Sequence, residues 1–419
     1  MRILISGAGI GGLTLALALH KHVHEIDVEL YDAVGEFRPL GLGINLMPHA
    51  MRVLCELGLQ EPIAAVAVEA REFAYYTSRG QRIHTEAAGL HGGYDYPHYS
   101  IHRGDLHDVL HRAVVERLGA DRIHTGHRLT SFDQDDDGVT ARFVDADCRP
   151  LPPVTGEALI GADGLHSAVR KAFYPDEPGP VFHGINMWRG VTKAKPFLSG
   201  ASATRVGALH RSGKLVAYPI RDDIDEQGTQ LINWVAEVVT DVASPTDWSA
   251  PGRLEDFIDL FTGWKFDWLD VDALIRNADL ILSYPMVDRD PLSRWTFGRV
   301  TLLGDAAHPM YPRGGNGAAQ SILDAESLVR HLATTPDVAA ALGAYEAERL
   351  PVVNTIVATN RTTPPDVLIE EVERRTDGCT FERIEDVISI AEIEAFTKGY
   401  QVVAGYDRET VAAKRDLAR

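Results

Sequence analysis

The residues with the plainest chemical consequence stand at the start of the chain. Gly7-Ala8-Gly9-Ile10-Gly11-Gly12 carries the spacing GxGxxG, with Gly7, Gly9 and Gly12 at its fixed positions. A dinucleotide needs that spacing. One glycine makes the tight turn, one lets the pyrophosphate approach the backbone, and one lets helix and strand pack closely. A helix beginning there would face the phosphates with free N–H groups and the positive end of its dipole. Asp32 closes the next apolar stretch, about 20 residues on, where an acid for the ribose hydroxyls is expected. This loop alone does not choose between NAD and FAD.

Two further constellations lie downstream. Asp163-Gly164-Leu165-His166-Ser167-Ala168-Val169-Arg170 places an Asp-Gly turn before a Ser suited to capping a helix. Gly304-Asp305-Ala306-Ala307-His308-Pro309 is followed by Pro312, Gly315, Gly317 and Asp324. That pattern reads as a buried strand, an acid, a glycine loop and a helix whose N-terminus would stabilise negative charge in front of it.

Elements must hold these loops in place. Residues 2–6 and 27–31 read as buried strands flanking a helix over 11–20, a βαβ start that implies a parallel sheet with a right-handed crossover. Helices are expected over 48–57 and 104–118, and a hairpin is expected around Asp135-Asp136-Asp137-Gly138. A short strand over 158–160 leads into the Asp163 turn, and another over 299–303 leads into the Asp305 loop. Between them, 181–286 alternates in the manner of a mainly β insertion, with strands at 215–220 and 231–239. A long helix is expected over 317–332. After Pro351 the chain reads as helical and polar, broken at Pro364-Pro365.

The fold class expected is α/β: a Rossmann-like FAD-binding domain, an inserted mainly β substrate domain and a C-terminal helical segment. Its division along the chain is 1–70, 99–180 and 287–350 for the FAD-binding domain, 71–98 and 181–286 for the substrate domain, and 351–419 for the helical segment.

Composition narrows the function classes. The 419 residues hold 41 Lys and Arg against 60 Asp and Glu, a formal charge of −19. Phosphate binding needs clustered cations, so nucleic acid and anionic membrane surfaces are poor partners. A small acidic substrate is not excluded, since one local Arg outweighs the global field. Cys55, Cys148 and Cys379 are odd in number and far apart, which speaks against a disulfide framework or zinc ribbon and for a reducing cytoplasm. The first 19 residues imitate a secretion signal, but glycines interrupt their apolar run. His107 and His111 are four apart on an expected helix without the HExxH glutamate, so no metal is expected.

Taken in order, the three motifs resemble the fingerprints of the single-component FAD-dependent aromatic hydroxylases, the para-hydroxybenzoate hydroxylase-like flavoprotein monooxygenases. Longer strings are similar to the branch that forms pyocyanin from 5-methylphenazine-1-carboxylate: GLGINLMPHA from Gly41, YPHYSIHRGDL from Tyr96, INMWRGVT from Ile185, YPMVDRDPL from Tyr284 and GDAAHPMYP from Gly304. The similarity spans about 1–350 and fades from Asn360. In the glycine loop, Arg313 stands where that branch would carry a less polar residue.

The resemblance implies bound FAD, NADH or NADPH as donor, dioxygen as oxidant and a small aromatic substrate, hydroxylated with or without loss of a carboxylate. It assigns Asp163 and Gly164 to the region of the FAD pyrophosphate and Asp305 to the ribityl chain. It puts Pro312, Gly315, Gly317, Gly43 and Ile44 near the flavin ring and Arg103 against FAD. Flavin chemistry needs no triad, so no catalytic side chain is expected. For the substrate pocket the candidates are Trp188, Arg189, Arg205, His210, Tyr218, Trp234, Met286 and Arg313, with Arg189, Arg205 and His210 as carboxylate partners. An FAD oxidase or dehydrogenase, an epoxidase and a non-catalytic flavin redox sensor remain rival readings, and a homodimer stays open.

Overall fold

The computed structural model describes residues 1–37, 42–244 and 250–417. The string beginning at Gly41 therefore starts outside the described residues.

Ile3, Leu4 and Ile5 have no exposed surface, because Arg2–Ser6 is a central strand covered on both faces. It pairs in parallel with Asp27–Tyr31 on one side and Ala158–Gly161 on the other. The full six-stranded order is Thr296–Phe297, Val300–Leu302, Ala158–Gly161, Arg2–Ser6, Asp27–Tyr31, Ile123–His124. Helix Ile10–His22 is buried from Gly12 to Leu19, and it packs between this sheet and helix Gly317–Thr334. Both loop ends expected to bind a cofactor thus leave the same edge of one parallel sheet.

The turn at Gly7 shows why glycine is required. Its φ is +109°, and a Cβ there would lie 2.2 Å from the Ala162 carbonyl oxygen. A Cβ on Gly12 would lie 2.0 Å from the Gly7 oxygen, so helix and strand approach only without side chains.

A seven-stranded sheet draws on two separate stretches of chain: Ile281–Asp288, Val181–Ala194, Gln230–Val239, Lys214–Arg221, Ser202–Val206, Glu72–Tyr76 and Arg82–Ala87, in that order. The stretch is not purely β. It also carries helices Leu209–Ser212 and Val271–Arg276, the latter capped by the Asp270 side chain. A small antiparallel sheet of Gly43–Leu46, Tyr99–His102 and Ala67–Glu69 takes its strands from either side of the hairpin Glu72–Tyr76 and Arg82–Ala87.

Helix Val338–Thr362 runs through Pro351, where the sequence reading places a boundary. Proline removes one backbone donor, but Tyr345 and Arg349 before it and Val353, Ile356 and Val357 after it are all buried, so packing holds both halves in line. The break falls at Pro364-Pro365, where the sequence reading expects it. Helices Val367–Thr376, Ile390–Ala404 and Arg408–Leu417 follow, the second opened by a capping box between Ser389 and Glu392. Among the described residues no helix is long and apolar enough to cross a membrane, and no group of three His, Cys, Asp or Glu could hold a metal ion.

Gly12→Ala tests the close approach directly. Overpacking is expected to cost about 1–3 kcal/mol, read as a lower urea midpoint with an unchanged slope; an unchanged midpoint would show that the loop has room to spare.

Candidate active site

A cavity of about 360 Å³ lies between the loops of the parallel sheet and one face of the seven-stranded sheet. Gly9, Gly11, Arg103, Gly164, Gly304, Asp305, Pro312, Gly315 and Gly317 line the first side. A second cavity, lined by Asp32, Glu36, Phe37 and His107, shares Gly9, Ile10 and Arg103 with it. The two form a strip that begins at Asp32 and ends at the glycine loop, as an extended dinucleotide requires.

The fit to FAD rests on unfilled groups. Helix Ile10–His22 has no side chain capping its first N–H groups, and nothing lies within 4 Å of a Cβ placed on its N-cap, Gly9. Backbone donors therefore face open space suited to an anion. Arg103 forms no ion pair among the described residues and lines both cavities. Asp305 projects into the cavity and is not packed into protein. Its side chain is exposed to the cavity, and desolvation by the surrounding protein raises its pKa against the pull of His308 and Arg103.

The Asp305 loop is pinned from behind. Asp324 Oδ2 accepts from the Gly304 amide at 3.0 Å and contacts His308 Nε2 at 2.5 Å, while Asp324 Oδ1 accepts from Arg349 Nε at 2.8 Å. Burial opposes the charge on Asp324, but His308 and Arg349 outweigh it and hold the carboxyl at about 2. Arg170 ties the Asp163 motif to the same loop, donating to the carbonyls of Ala306 at 3.2 Å and Ala307 at 2.8 Å.

The opposite wall follows from strand alternation. Across neighbouring strands Arg189, Val235, Val216 and Arg205 stand opposite one another in a single row, and Tyr75 continues it. Two residues along, Met187, Glu237 and Lys214 form the next row on that face; Asn233 and Tyr218 belong to the row on the other side. The central row is apolar in the middle and cationic at both ends. Three inter-strand steps separate its arginines, roughly 14 Å at ~4.8 Å each. Arg205 donates to the Tyr75 hydroxyl at 3.0 Å and lies 5.3 Å from the Phe73 and Tyr75 ring centroids. Among the described residues no carboxylate pairs with it.

Gly43 joins the two walls. Its amide donates to Asn233 Oδ1 at 2.7 Å, and its carbonyl accepts from the Tyr218 hydroxyl at 2.8 Å and Arg189 Nη2 at 3.1 Å. A Cβ here would meet Asn233 and Tyr218 at 2.7 Å. Burial pushes the Tyr218 hydroxyl up to about 12, so it remains a donor.

Of the sequence candidates, Gly43, Ile44, Arg189, Arg205, Tyr218 and Arg313 also line the main cavity. Gly7 and Gly12 shape the turn behind it. Asp163 does not line it: its carboxylate accepts from the Ala168 amide at 2.8 Å, and it caps helix Ala168–Phe173 together with Ser167. Four pocket candidates are misplaced. Trp188 and Trp234 each sit one residue from a row member and so face the other side of the sheet. There Trp188 stacks on Phe257 at 5.0 Å, and Trp234 Nε1 donates to Thr192 at 3.0 Å. Met286 is wholly buried in the apolar cluster of Met187, Val235 and Tyr311, and does not itself line the cavity. His210 is exposed, its backbone amide bound to Glu370 of the C-terminal helices. Sequence reasoning missed Lys214 and Val216, which counting by twos back from Tyr218 on the same strand would have found, Val235 and Glu237, whose face only pairing with the neighbouring strands reveals, and Asp366, for which no pattern exists.

Residues 1–252 and 280–360 match the model of a family described as "FAD binding domain". The chain belongs to this FAD-binding family. It is 47% identical over 363 residues to a phenazine 1,6-dicarboxylic acid hydroxylase of Lysobacter antibioticus, covering 86% of this chain and 89% of that protein. It is 32% identical to a 3-amino-4-hydroxybenzoate 2-monooxygenase of Streptomyces platensis, covering 95% and 97%. Its fold matches that of Klebsiella pneumoniae HpxO crystallised with FAD and uric acid, with a TM-score of 0.73 at 25% identity over 99% of this chain and 97% of that one. This member of the family is a flavoprotein, an FAD-dependent, NAD(P)H-using monooxygenase that hydroxylates aromatic substrates.

Asp324→Asn would leave Arg349 and His308 without their carboxylate, an expected cost of about 3–5 kcal/mol in chemical denaturation. Because the folded carboxyl sits near 2 and the unfolded one near ~3.9, its stabilisation is complete above about pH 4 and is lost as pH falls towards 2. The acid limb of the stability curve should therefore be shallower in the variant, and an unaltered limb would contradict the pin.

Proposed function

We propose that this enzyme hydroxylates a planar polycyclic aromatic carboxylate of the phenazine-carboxylate kind. The observation that carries the reading is the row on the opposite wall, the floor of the cavity: Val216 and Val235 form an apolar bed between Arg189 and Arg205, and among the described residues Arg205 has no carboxylate of its own. A guanidinium shielded from bulk water binds a carboxylate through paired N–H groups. The similarity to a phenazine dicarboxylic acid hydroxylase supports the same class.

In this reading the stretches 71–98 and 181–286 act as the substrate domain and the rest of 1–350 as the cofactor domain. Bound FAD, once reduced by the nicotinamide donor, supplies the oxygen-activating chemistry. The chain does the placing. Arg205 seats the carboxylate, and Val216, Val235 and Met187 hold the ring flat and exclude water. Tyr218 and Arg189 fix the Gly43 strand from the floor side.

The test is turnover by FAD-loaded protein under air, with NADH and NADPH in turn. The panel is phenazine-1-carboxylate, phenazine-1,6-dicarboxylate, hydroxybenzoates and 6-hydroxynicotinate. Substrate-stimulated oxidation of the donor is expected with the phenazines, and product mass shows whether the carboxylate is kept or replaced. Turnover of single-ring acids alone would sink the substrate class. Arg205→Leu is expected to raise KM by about 10–100-fold with a much smaller change in kcat, from the roughly 1.5–3 kcal/mol of a charged hydrogen bond; an unchanged KM would remove Arg205 from the site.

A further inference from the structure

Asp366 stands just after Pro364-Pro365, beyond the family-matched part of the chain, yet it lines the main cavity. Its Oδ2 lies 2.8 Å from Lys214 Nζ and 3.0 Å from Arg313 Nη2, and Lys214 Nζ is also 2.7 Å from Glu237 Oε2. All four side chains are buried and all four line the cavity. With Arg205 they make three cations and two anions at one end of the floor, a remainder of one positive charge.

Two details show that the cluster faces a ligand space and is not a closed network. Arg313 Nε is buried without a hydrogen-bond partner among the described residues, and Arg205 has only the Tyr75 hydroxyl. Burial alone would push the Asp366 carboxyl up, but Lys214 and Arg313 hold it well below the usual carboxylate range, so it stays an anion.

We propose that Asp366 is a specificity-determining residue that sets the anion capacity of the cavity. By engaging Lys214 and Arg313 it leaves Arg205 as the cation at this end for a ligand, so one carboxylate is seated here and a second beside it is refused. This rests on the reading above that an aromatic carboxylate lies on this floor. Removing the charge of Asp366 frees Arg313, leaves Lys214 with Glu237 alone, and creates a second anion subsite next to the first.

The experiment titrates FAD-loaded protein with benzoate and with benzene-1,3-dicarboxylate, following the flavin absorbance change. In the unaltered enzyme the second carboxylate brings no gain in affinity. In Asp366→Asn the dicarboxylate should tighten about tenfold or more relative to benzoate, the scale of one unpaired charge in a shielded site, while Asp366→Glu keeps the original ratio. Lys214→Met changes charge the other way and should weaken benzoate about tenfold; it answers the question if the Asn variant does not hold FAD. An Asn variant with the original ratio, or a Met variant that binds benzoate as the unaltered enzyme does, overturns the role of Asp366. If the unaltered enzyme responds to no aromatic carboxylate, phenazine-1-carboxylate included, the substrate reading beneath it fails instead.

Discussion

One buried carboxylate holds the cofactor side of this molecule together. Asp324 has no exposed surface, and through two oxygens it engages the Gly304 amide, His308 and Arg349. These belong to a strand end, a loop and helix Val338–Thr362. Arg349 passes the constraint to Gln320, and Tyr345 of the same helix donates to the Leu302 carbonyl at 3.1 Å. A charge withdrawn this far from water is tolerated only when its lone pairs are matched, so the elements that match them cannot shift separately. The loop carrying Asp305 takes its shape from that requirement.

The glycine loop that follows is fixed from the C-terminal side. The Tyr400 hydroxyl lies between Asn316 Nδ2 at 3.1 Å and Asn360 Oδ1 at 2.6 Å, and a Cβ on Gly314, whose φ is +83°, would lie 2.1 Å from it. Helix Ile390–Ala404 thus presses on the loop 313–317 at a place where only glycine fits. On the opposite wall the organising rule is the two-residue period of a strand, which sends Arg189, Val216, Val235 and Arg205 to the cavity and their neighbours into a separate apolar core.

The sequence exposes what is local. Gly7, Gly9, Gly12, Asp32 and the Asp305 loop are legible because turn geometry and anion binding demand those residue types at those spacings. The parallel strands are legible because a doubly covered strand must be apolar throughout. Which face a strand residue takes is not local. Trp188 and Arg189 are adjacent in sequence, both attractive for an aromatic acid, and their fates are opposite because the sheet has two faces and the sequence names neither. His210 fails for a similar reason: helix Leu209–Ser212 turns its side chain to solvent, and only its backbone amide is engaged, by Glu370, 160 residues away. Asp366 is the extreme case, an ordinary acid after two prolines whose importance comes wholly from the cations that folding brings to it. Pro351 opens the expected C-terminal segment, yet it stands inside one continuous helix because the residues on both sides of it are buried.

The two large sheets are threaded through each other along the chain. The parallel sheet takes strands from 2–31, 123–161 and 296–302, whereas the floor sheet takes 72–87 and 181–288. No single cut separates them, and Gly43 of the small sheet is clasped on both its amide and its carbonyl by side chains of the floor sheet. The protein therefore cannot be dissected into a free-standing cofactor module and a free-standing substrate module. A grafted floor would have to bring its own clasp for residue 43, and shuffling between relatives would succeed only when both interleaved segments and that clasp travel together.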